Sequence, residues 1–420
     1  MTRFRPYPSY KDSGVEWLGK LPDRWGRRPL KRLVVTSITD GPHETPEFTL
    51  DGIPFLSVDS IVEGRLNFAG CRFISVPDHE RYCRKCRPTR NDVLIGKAAS
   101  VGKIAVVDVD FEFNIWSPLA MLRPAPRLLA PRFLYYYLLS RSAQDEILLQ
   151  CTHNTQNNIS MDDIGELAIP LPDPPEQLAI AAFLDREAKR IDALVEKKER
   201  LVELLQEKRT ALISHAVTKG LDPNVRLKDS GVEWLGAIPE QWEILRIKHL
   251  ALLRSGVGIT SADIREAGPY PVYGGNGIRG FTDAHSDEGE FVLIGRQGAL
   301  CGCINYAHGK FWASEHAVIA YPRRAYQVLW FGELLRTMNL NQYSMSAAQP
   351  GLGVERIQEL IVPVPPPAEQ RAIAAFLDRE TQRIDALVEK VKRSVELLKE
   401  YRTALISAAV TGKIDVRDAG

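Results

Sequence analysis

Ala179-Ile-Ala-Ala-Phe-Leu-Asp-Arg-Glu187 recurs, residue for residue, as Ala372–Glu380. The identity continues outward at the same offset of 193: Arg190–Lys197 matches Arg383–Lys390, and Arg209–Ser214 matches Arg402–Ser407. Each copy follows a proline-rich stop, Pro170-Leu-Pro-Asp-Pro-Pro175 or Pro363-Val-Pro-Pro-Pro367. Proline is tolerated in a helix only at its first turn, so both runs predict helix starts. Steps of four and three then link Ile180, Leu184, Glu187, Ile191, Leu194, Lys198, Leu201, Leu205, Lys208 and Leu212. The second copy steps through Ile373, Leu377, Glu380, Ile384, Leu387, Val391, Ser394, Leu398, Tyr401 and Leu405. This seam of period 3.5 predicts two helices, each about 40 residues and roughly 60 Å long, that pair as a coiled coil. Alone, neither is stable; near-identical in one chain, they are natural partners.

A second block is also written twice. Asp12-Ser-Gly-Val-Glu-Trp-Leu-Gly19 returns as Asp229–Gly236, each copy leading to a proline and a tryptophan (Pro22 and Trp25, Pro239 and Trp242). The offset here is 217, so the first half carries 24 more residues between its repeated ends. The layout is conserved block, variable region, conserved helix, then the same again: a duplicated module, not a solenoid. The variable regions hold short apolar runs broken by Gly, Pro and Asp, such as Gly52–Val58, Asp92–Gly96 and Glu290–Gly295, followed by helical patterns near Arg132–Leu149 and Val328–Leu340. Leu94-Ile-Gly-Lys-Ala-Ala-Ser-Val-Gly102 is echoed by Leu293-Ile-Gly-Arg-Gln-Gly-Ala-Leu-Cys-Gly302. The expected class is α+β: two mixed α/β domains of one fold with diverged surfaces, separated by two long antiparallel helices. The expected boundaries are 1–173, helix 174–218, 219–366, helix 367–412 and a tail 413–420.

Composition narrows the function. The chain has 420 residues, 45% hydrophobic and 25% charged, which is ordinary for a multidomain globular protein. The polar, proline-broken start does not read as a signal peptide, and no apolar run approaches a membrane span, so the cytoplasm is the expected compartment. Six cysteines make no disulfide scaffold; Cys83-Arg-Lys-Cys86 lacks a second pair and Cys301-Gly-Cys303 is too tight, so no metal site is expected. Net charge is only +1, with 17 basic and 17 acidic residues over 26–172 and 11 of each over 243–365. Unselective coating of DNA would need a strongly basic chain, so any DNA binding must rest on local patches and base contacts.

Three motifs invite a catalytic reading and fail. Gly275-Asn-Gly277-Ile-Arg-Gly280 fits a dinucleotide pattern, but no helical pattern follows it. Gly96 to Lys103 is one residue too long for a phosphate loop, and Ile104 stands where Ser or Thr should hold magnesium. Asp173-Pro-Pro175-Glu176 lacks the aromatic that an amino-methyltransferase would stack on a flipped base. A proline entry into a helix, with an acid suited to its dipole, explains it better. No nuclease carboxylate cluster or nucleophile triad is recognisable, so no catalytic residues are expected.

The repeated Asp-Ser-Gly-Val-Glu-Trp-Leu-Gly block and the paired Glu-Gln-x-x-Ile-Ala-x-Phe-Leu-Asp motifs, Glu176–Asp185 and Glu369–Asp378, resemble the specificity (S) subunits of type I restriction–modification systems. Tyr270–Gly280 and Phe311–Ser314 look like one type of target-recognition domain in that family; Asp40-Gly-Pro-His43 and Gly52–Leu56 look like another. The resemblance spans essentially the whole chain. It implies two target-recognition domains, near 20–173 and 237–366, each reading half of a bipartite asymmetric DNA site. It implies helices that set the gap and present matched surfaces to two copies of a modification subunit, with one S chain per complex. It places S-adenosylmethionine on that adenine-methylating partner, ATP and Mg on a restriction/translocase subunit, and no cofactor on this chain.

Arg and Asn/Gln read base edges, and Lys/Arg hold phosphates. The DNA-contact candidates are therefore Arg84, Lys85, Lys97, Ser100, Lys103, Asn154, Gln156 and Asn157 in the first domain, and Tyr273, Asn276, Arg279, Arg296, Gln297 and Gln349 in the second. Arg81–Arg90, five basic residues in ten, is the densest local patch, with a solvated loop as its plainer explanation. The apolar seam residues from Ile180 to Leu212 and from Ile373 to Leu405 are the candidates for helix pairing and partner binding. Competing readings are a self-sufficient nuclease, a methylation-only system and a coiled-coil scaffold without DNA.

Overall fold

The block that opens each half is a hairpin, and its residue types follow from the turn. The computed structural model describes residues 4–153, 157–298, 301–344 and 351–417. Tyr10–Asp12 pairs antiparallel with Lys20–Pro22, and Leu227–Asp229 with Ala237–Pro239. Asp12 Oδ1 accepts from Gly14 N (2.7 Å) and Ser13 Oγ from Val15 N (3.1 Å); Asp229 and Ser230 repeat these bonds at 3.0 and 3.1 Å. Gly14, Gly19, Gly231 and Gly236 all have φ between +60° and +72°, a region that side chains disfavour.

The chain forms two units, residues 1–198 with 393–420, and residues 199–392. Each holds one globular region and a segment of each long helix, Pro174–Lys219 and Pro367–Val410. In the first unit the helix segments run antiparallel: Glu176 lies 3.7 Å from Arg417, just beyond the second helix, while Asp192 lies 2.9 Å from Arg402. In the second unit Arg209 meets Asp385 at 3.0 Å. The α+β reading with an internal repeat is borne out.

Most of the expected seam lies inside, and it departs by one residue at three positions. Ile180, Leu184, Ile191 and Leu405 are buried in the first unit, and Ile373, Leu377 and Ile384 in the second. Leu205, Leu212, Val391 and Leu398 are half-buried. Leu194, Leu201 and Leu387, expected inside, are 42, 43 and 42% exposed. Val388 is buried and Val195 and Val202 are half-buried in their place. Apolar residues stand at both alternatives, so periodicity could not choose between them. Helix faces one residue apart differ by about 100°, and the choice is made by what each helix packs on. Within their own units, Arg402 pairs with Asp192 and Arg209 with Asp385.

The Glu-Gln pair at each helix start ties helix to domain. Gln177, fully buried, accepts from Ala130 N (2.8 Å) and donates to Leu128 O (2.9 Å) and Pro172 O (3.0 Å). Gln370 accepts from Gln327 N (3.0 Å) and donates to Pro365 O (2.9 Å). Asp173 Oδ1 caps Glu176 N at 2.9 Å, so Asp173-Pro-Pro175-Glu176 is a helix start.

The two globular regions share a sheet framework. In the first, strands run in the order Ile104–Val106, Val93–Gly96, Leu119–Leu122 and Thr39–Asp40, all antiparallel. In the second, Ile304–Ala313, Asp287–Gly295, Ala317–Pro322 and Ala251–Ser255 hold equivalent positions. A parallel pair attaches to each, Asn114–Ile115 on Ile53–Leu56 and the end of Ile304–Ala313 on Tyr270–Gly274. All six cysteines are free thiols. Among the described residues no helix is long and apolar enough to cross a membrane, and no cluster of His, Cys, Asp and Glu is placed to hold a metal.

The C-terminal segment completes the first unit's core. Ile414 and Val416 are buried there, Lys413 Nζ donates to Lys20 O (2.6 Å), and Asp415 N donates to Arg5 O (2.7 Å). Deleting residues 411–420 is expected to lower unfolding stability by about 3–6 kcal/mol, from two apolar side chains at roughly 1.5–3 kcal/mol each. An unshifted urea midpoint would contradict that assignment.

Candidate nucleic-acid interface

Both globular regions build the same hairpin loop, which gathers most of the candidate DNA contacts. In the first, Gly96 N donates to Lys103 O (2.8 Å) and Gly102 N to Gly96 O (2.9 Å); in the second, Gly295 N donates to Cys303 O (2.9 Å) and Gly302 N to Gly295 O (2.7 Å). The segment before each domain's last short helix closes on this loop. Ile159 N donates to Lys97 O and Leu352 N to Arg296 O, both at 2.9 Å. A third segment joins them, through Lys97 N to Pro118 O (2.8 Å) and Arg296 N to His316 O (2.9 Å). Lys97 and Arg296 are therefore equivalent. Gly96–Lys103 is a strand connection, not a phosphate loop. Gly275–Asn276 is likewise a hairpin turn, leading straight into strand Gly277–Thr282.

The anchors of those two cations differ. Lys97 Nζ lies 3.1 Å from Oδ2 of Asp40, which is fully buried. Lys85 donates to Asp40 Oδ1 and to Gly41 O (3.2 Å), and His43 Nε2 lies 3.1 Å from Oδ2. Burial pushes the Asp40 carboxyl upward, but hydrogen bonds and charges from Lys85 and Lys97 outweigh it and hold it below the usual range. In the second domain Arg296 Nη1 donates to Ser255 Oγ (3.0 Å), a neutral anchor at the position equivalent to Asp40. The next residue must be glycine in both. A Cβ on Gly41 would sit 1.8 Å from Ile115 O, and one on Gly256 2.1 Å from Ala313 O. Asp40, His43 and Ser255 were not among the expected contacts. Asp40-Gly-Pro-His43 carried a signal only as a family resemblance, because its role depends on strands distant in sequence.

The remaining candidates divide. Ser100 sits on the first loop, half-buried, and Asn157 is exposed on the adjoining strand. Lys103 reaches Val58 O (3.5 Å) and Asp59 (3.9 Å) at one side of the loop. Asn276, Arg279 and Gln297 are exposed around the second loop. Tyr273 is buried, its ring packed against Phe311 with centroids 5.7 Å apart. Asn154, Gln156 and Gln349 lie outside the described residues. The Arg81–Arg90 patch is largely neutralised: Arg81 pairs with Glu44 (2.8 Å) and Asp78 (2.7 Å), Lys85 with Asp40, Arg87 with Glu112, and Arg90 with Asp110. Arg84 alone in that run has no side-chain partner among the described residues.

Residues 44–204 and 239–397 both match the family described as the type I restriction modification DNA specificity domain. The chain belongs to that family. It is 33% identical to the Escherichia coli type I restriction enzyme EcoprrI specificity subunit over 318 residues, 72% of this chain and 75% of the relative. It is 23% identical to the putative type I restriction enzyme MjaX specificity subunit of Methanocaldococcus jannaschii, over 95% of this chain and 96% of the relative. Two solved structures share the fold. One, from work on complex assembly and conformational transition of a type I restriction–modification system, matches with TM-score 0.70 at 18% identity, covering 94% of this chain and 99% of its own. The other, the HsdS subunit of Thermoanaerobacter tengcongensis, matches with TM-score 0.58 at 17% identity, covering 96% and 100%. In this type I specificity subunit the two globular regions are the repeated target-recognition domains, and the loops around Lys97 and Arg296 occupy the same place in each.

Proposed function

We propose that this specificity subunit reads a split, asymmetric DNA site, one half per domain, and directs adenine methylation and cleavage by partner subunits. The observation that carries this reading is one loop framework displaying two different chemistries: Lys97 held by Asp40, and Arg296 held by Ser255. A shared frame with different reading groups suits two unlike half-sites. One S chain then serves two modification subunits, through matched exposed positions such as Leu194 and Leu387. S-adenosylmethionine belongs to those subunits, ATP and Mg to a restriction/translocase subunit, and the complex works in the cytoplasm, where the DNA lies.

Co-expression with the cognate modification subunit, followed by single-molecule mapping of methyladenine, tests it. The expected result is one bipartite motif with a fixed unread gap, methylated once on each strand. No new methylation despite a stable complex would reject the reading, and no complex at all would favour the scaffold. Methylation without cleavage when the restriction subunit is supplied would identify a methylation-only system.

Lys97→Met and Arg296→Met each remove one phosphate or base contact. Each is expected to weaken DNA binding and flatten the dependence of log K on log salt by about one unit. Salt titration of the assembled methyltransferase checks this; an unchanged affinity together with an unchanged slope would exclude both residues from the interface.

A further inference from the structure

Beside the first recognition loop lies a depression of about 370 Å³ that the reading above leaves unused. Its wall is Trp116, seated by backbone hydrogen bonding to Leu56 O (2.8 Å) and packed against Phe55 and Phe48 at ring separations of 6.2 and 6.5 Å. Arg72 stacks over Phe48 at 4.5 Å and contributes a cationic rim. Ser57, Asp59 and Asn67 also line it. Asn67 Oδ1 accepts from Ala69 N (2.9 Å), and its amide nitrogen has no partner among the described residues. The remaining edge belongs to the recognition loop itself: Ala99, at φ +62°, lines the pocket two residues after Lys97. The cation-bearing loop and the aromatic wall therefore share one rim.

We propose that this pocket takes a single nucleobase of the first half-site, turned out of the helix and stacked on Trp116, its polar edge facing Asn67. The inference rests on the DNA-reading function proposed above. A held aromatic face, an unpaired amide donor and a cation at the rim are what a flipped or splayed base meets in a protein. The volume is at the small end for a ligand pocket and suits one nucleoside. A base is favoured over a partner's side chain because the pocket is continuous with the loop that carries Lys97 and Lys103. The second domain supplies an internal control: Ser314, whose N donates to Tyr273 O (2.9 Å), holds the position equivalent to Trp116, so the stacking indole is replaced there by a serine.

The test compares methylomes of the full chain with its modification subunit, as wild type, Trp116→Ala and Ala69→Trp. The second variant fills the pocket from an exposed rim position and does not disturb the aromatic cluster. Both are expected to lose discrimination at one base of the first half-site by roughly 10- to 100-fold, with the second half-site unchanged. A mismatch opposite that base should tighten wild-type binding several-fold, because the cost of unpairing is removed. An unaltered motif in both variants overturns the proposal. So does loss of modification-subunit co-purification by both variants, which would assign the pocket to a protein partner. A wild-type chain that yields no bipartite motif refutes the underlying function instead.

Discussion

Val388→Asp is expected to lower the unfolding stability of the chain by about 3–5 kcal/mol, while Leu387→Asp, one residue away, changes it by less than about 0.5 kcal/mol. The difference follows from burial. Val388 is buried in its unit, where a carboxylate would lose most of its hydration and the apolar packing that the valine supplies. Leu387 is 42% exposed, and surface changes away from special contacts cost little. The two variants should reverse their order in a second assay. Leu387→Asp and its repeat equivalent Leu194→Asp should retain the fold and lose co-purification of the modification subunit, since an exposed leucine kept at the same place in both copies is not kept by packing. Urea unfolding and affinity capture read the two effects. Equal destabilisation by both substitutions would mean the helices pair through the leucine register after all.

Asp40→Ala should cost about 2–4 kcal/mol and abolish recognition of the first half-site, leaving the second intact. The carboxylate is fully buried and holds Lys97, Lys85 and His43 at one point, so its loss leaves like charges facing each other without an anchor. The pH dependence has a fixed sign. Because the folded carboxyl lies below its ordinary value, its contribution is present above about pH 4 and is lost as pH falls through that lower folded value. Wild type and variant should therefore differ most at neutral pH and converge in acid. A difference that persists at pH 2 would show that packing, not the charge cluster, carries the effect. Ser255→Ala in the second domain removes one neutral hydrogen bond and should cost only about 0.5–1.5 kcal/mol.

The two substitutions also mark how far the amino-acid order could be read. The duplicated blocks, the helix starts and the shared domain fold were legible because each rests on local chemistry. Asp and Ser side chains close their own turn, glycines take positive φ, and prolines open helices. The candidate interface was legible in part. Lys97, Arg296, Asn276, Arg279 and Gln297 fall on the loops that the structure assembles. The packing of Tyr273 on Phe311 was not legible, since a tyrosine in an apolar strand reads the same whether its ring faces a core or a ligand. The neutralisation of the basic run 81–90 was legible only in part: Asp78 lies three residues before Arg81, but Asp40, Glu44, Asp110 and Glu112 come from elsewhere in the domain.

The order of residues by itself determined that this protein is a module written twice, with two reading domains of one fold and two helices able to pair. Periodicity and turn chemistry act over a few residues, so they survive in a linear text. Only the tertiary structure decided which of two adjacent apolar residues turns inward at the departing seam positions, and which residue anchors each loop cation. Leu194 and Val195 are equally apolar, as are Leu387 and Val388, and nothing local separates them. The choice belongs to the neighbours each helix meets in space: in the first unit Arg402 across from Asp192, in the second Arg209 across from Asp385. Asp40 likewise becomes an anchor only when three strands and a loop converge to bury it.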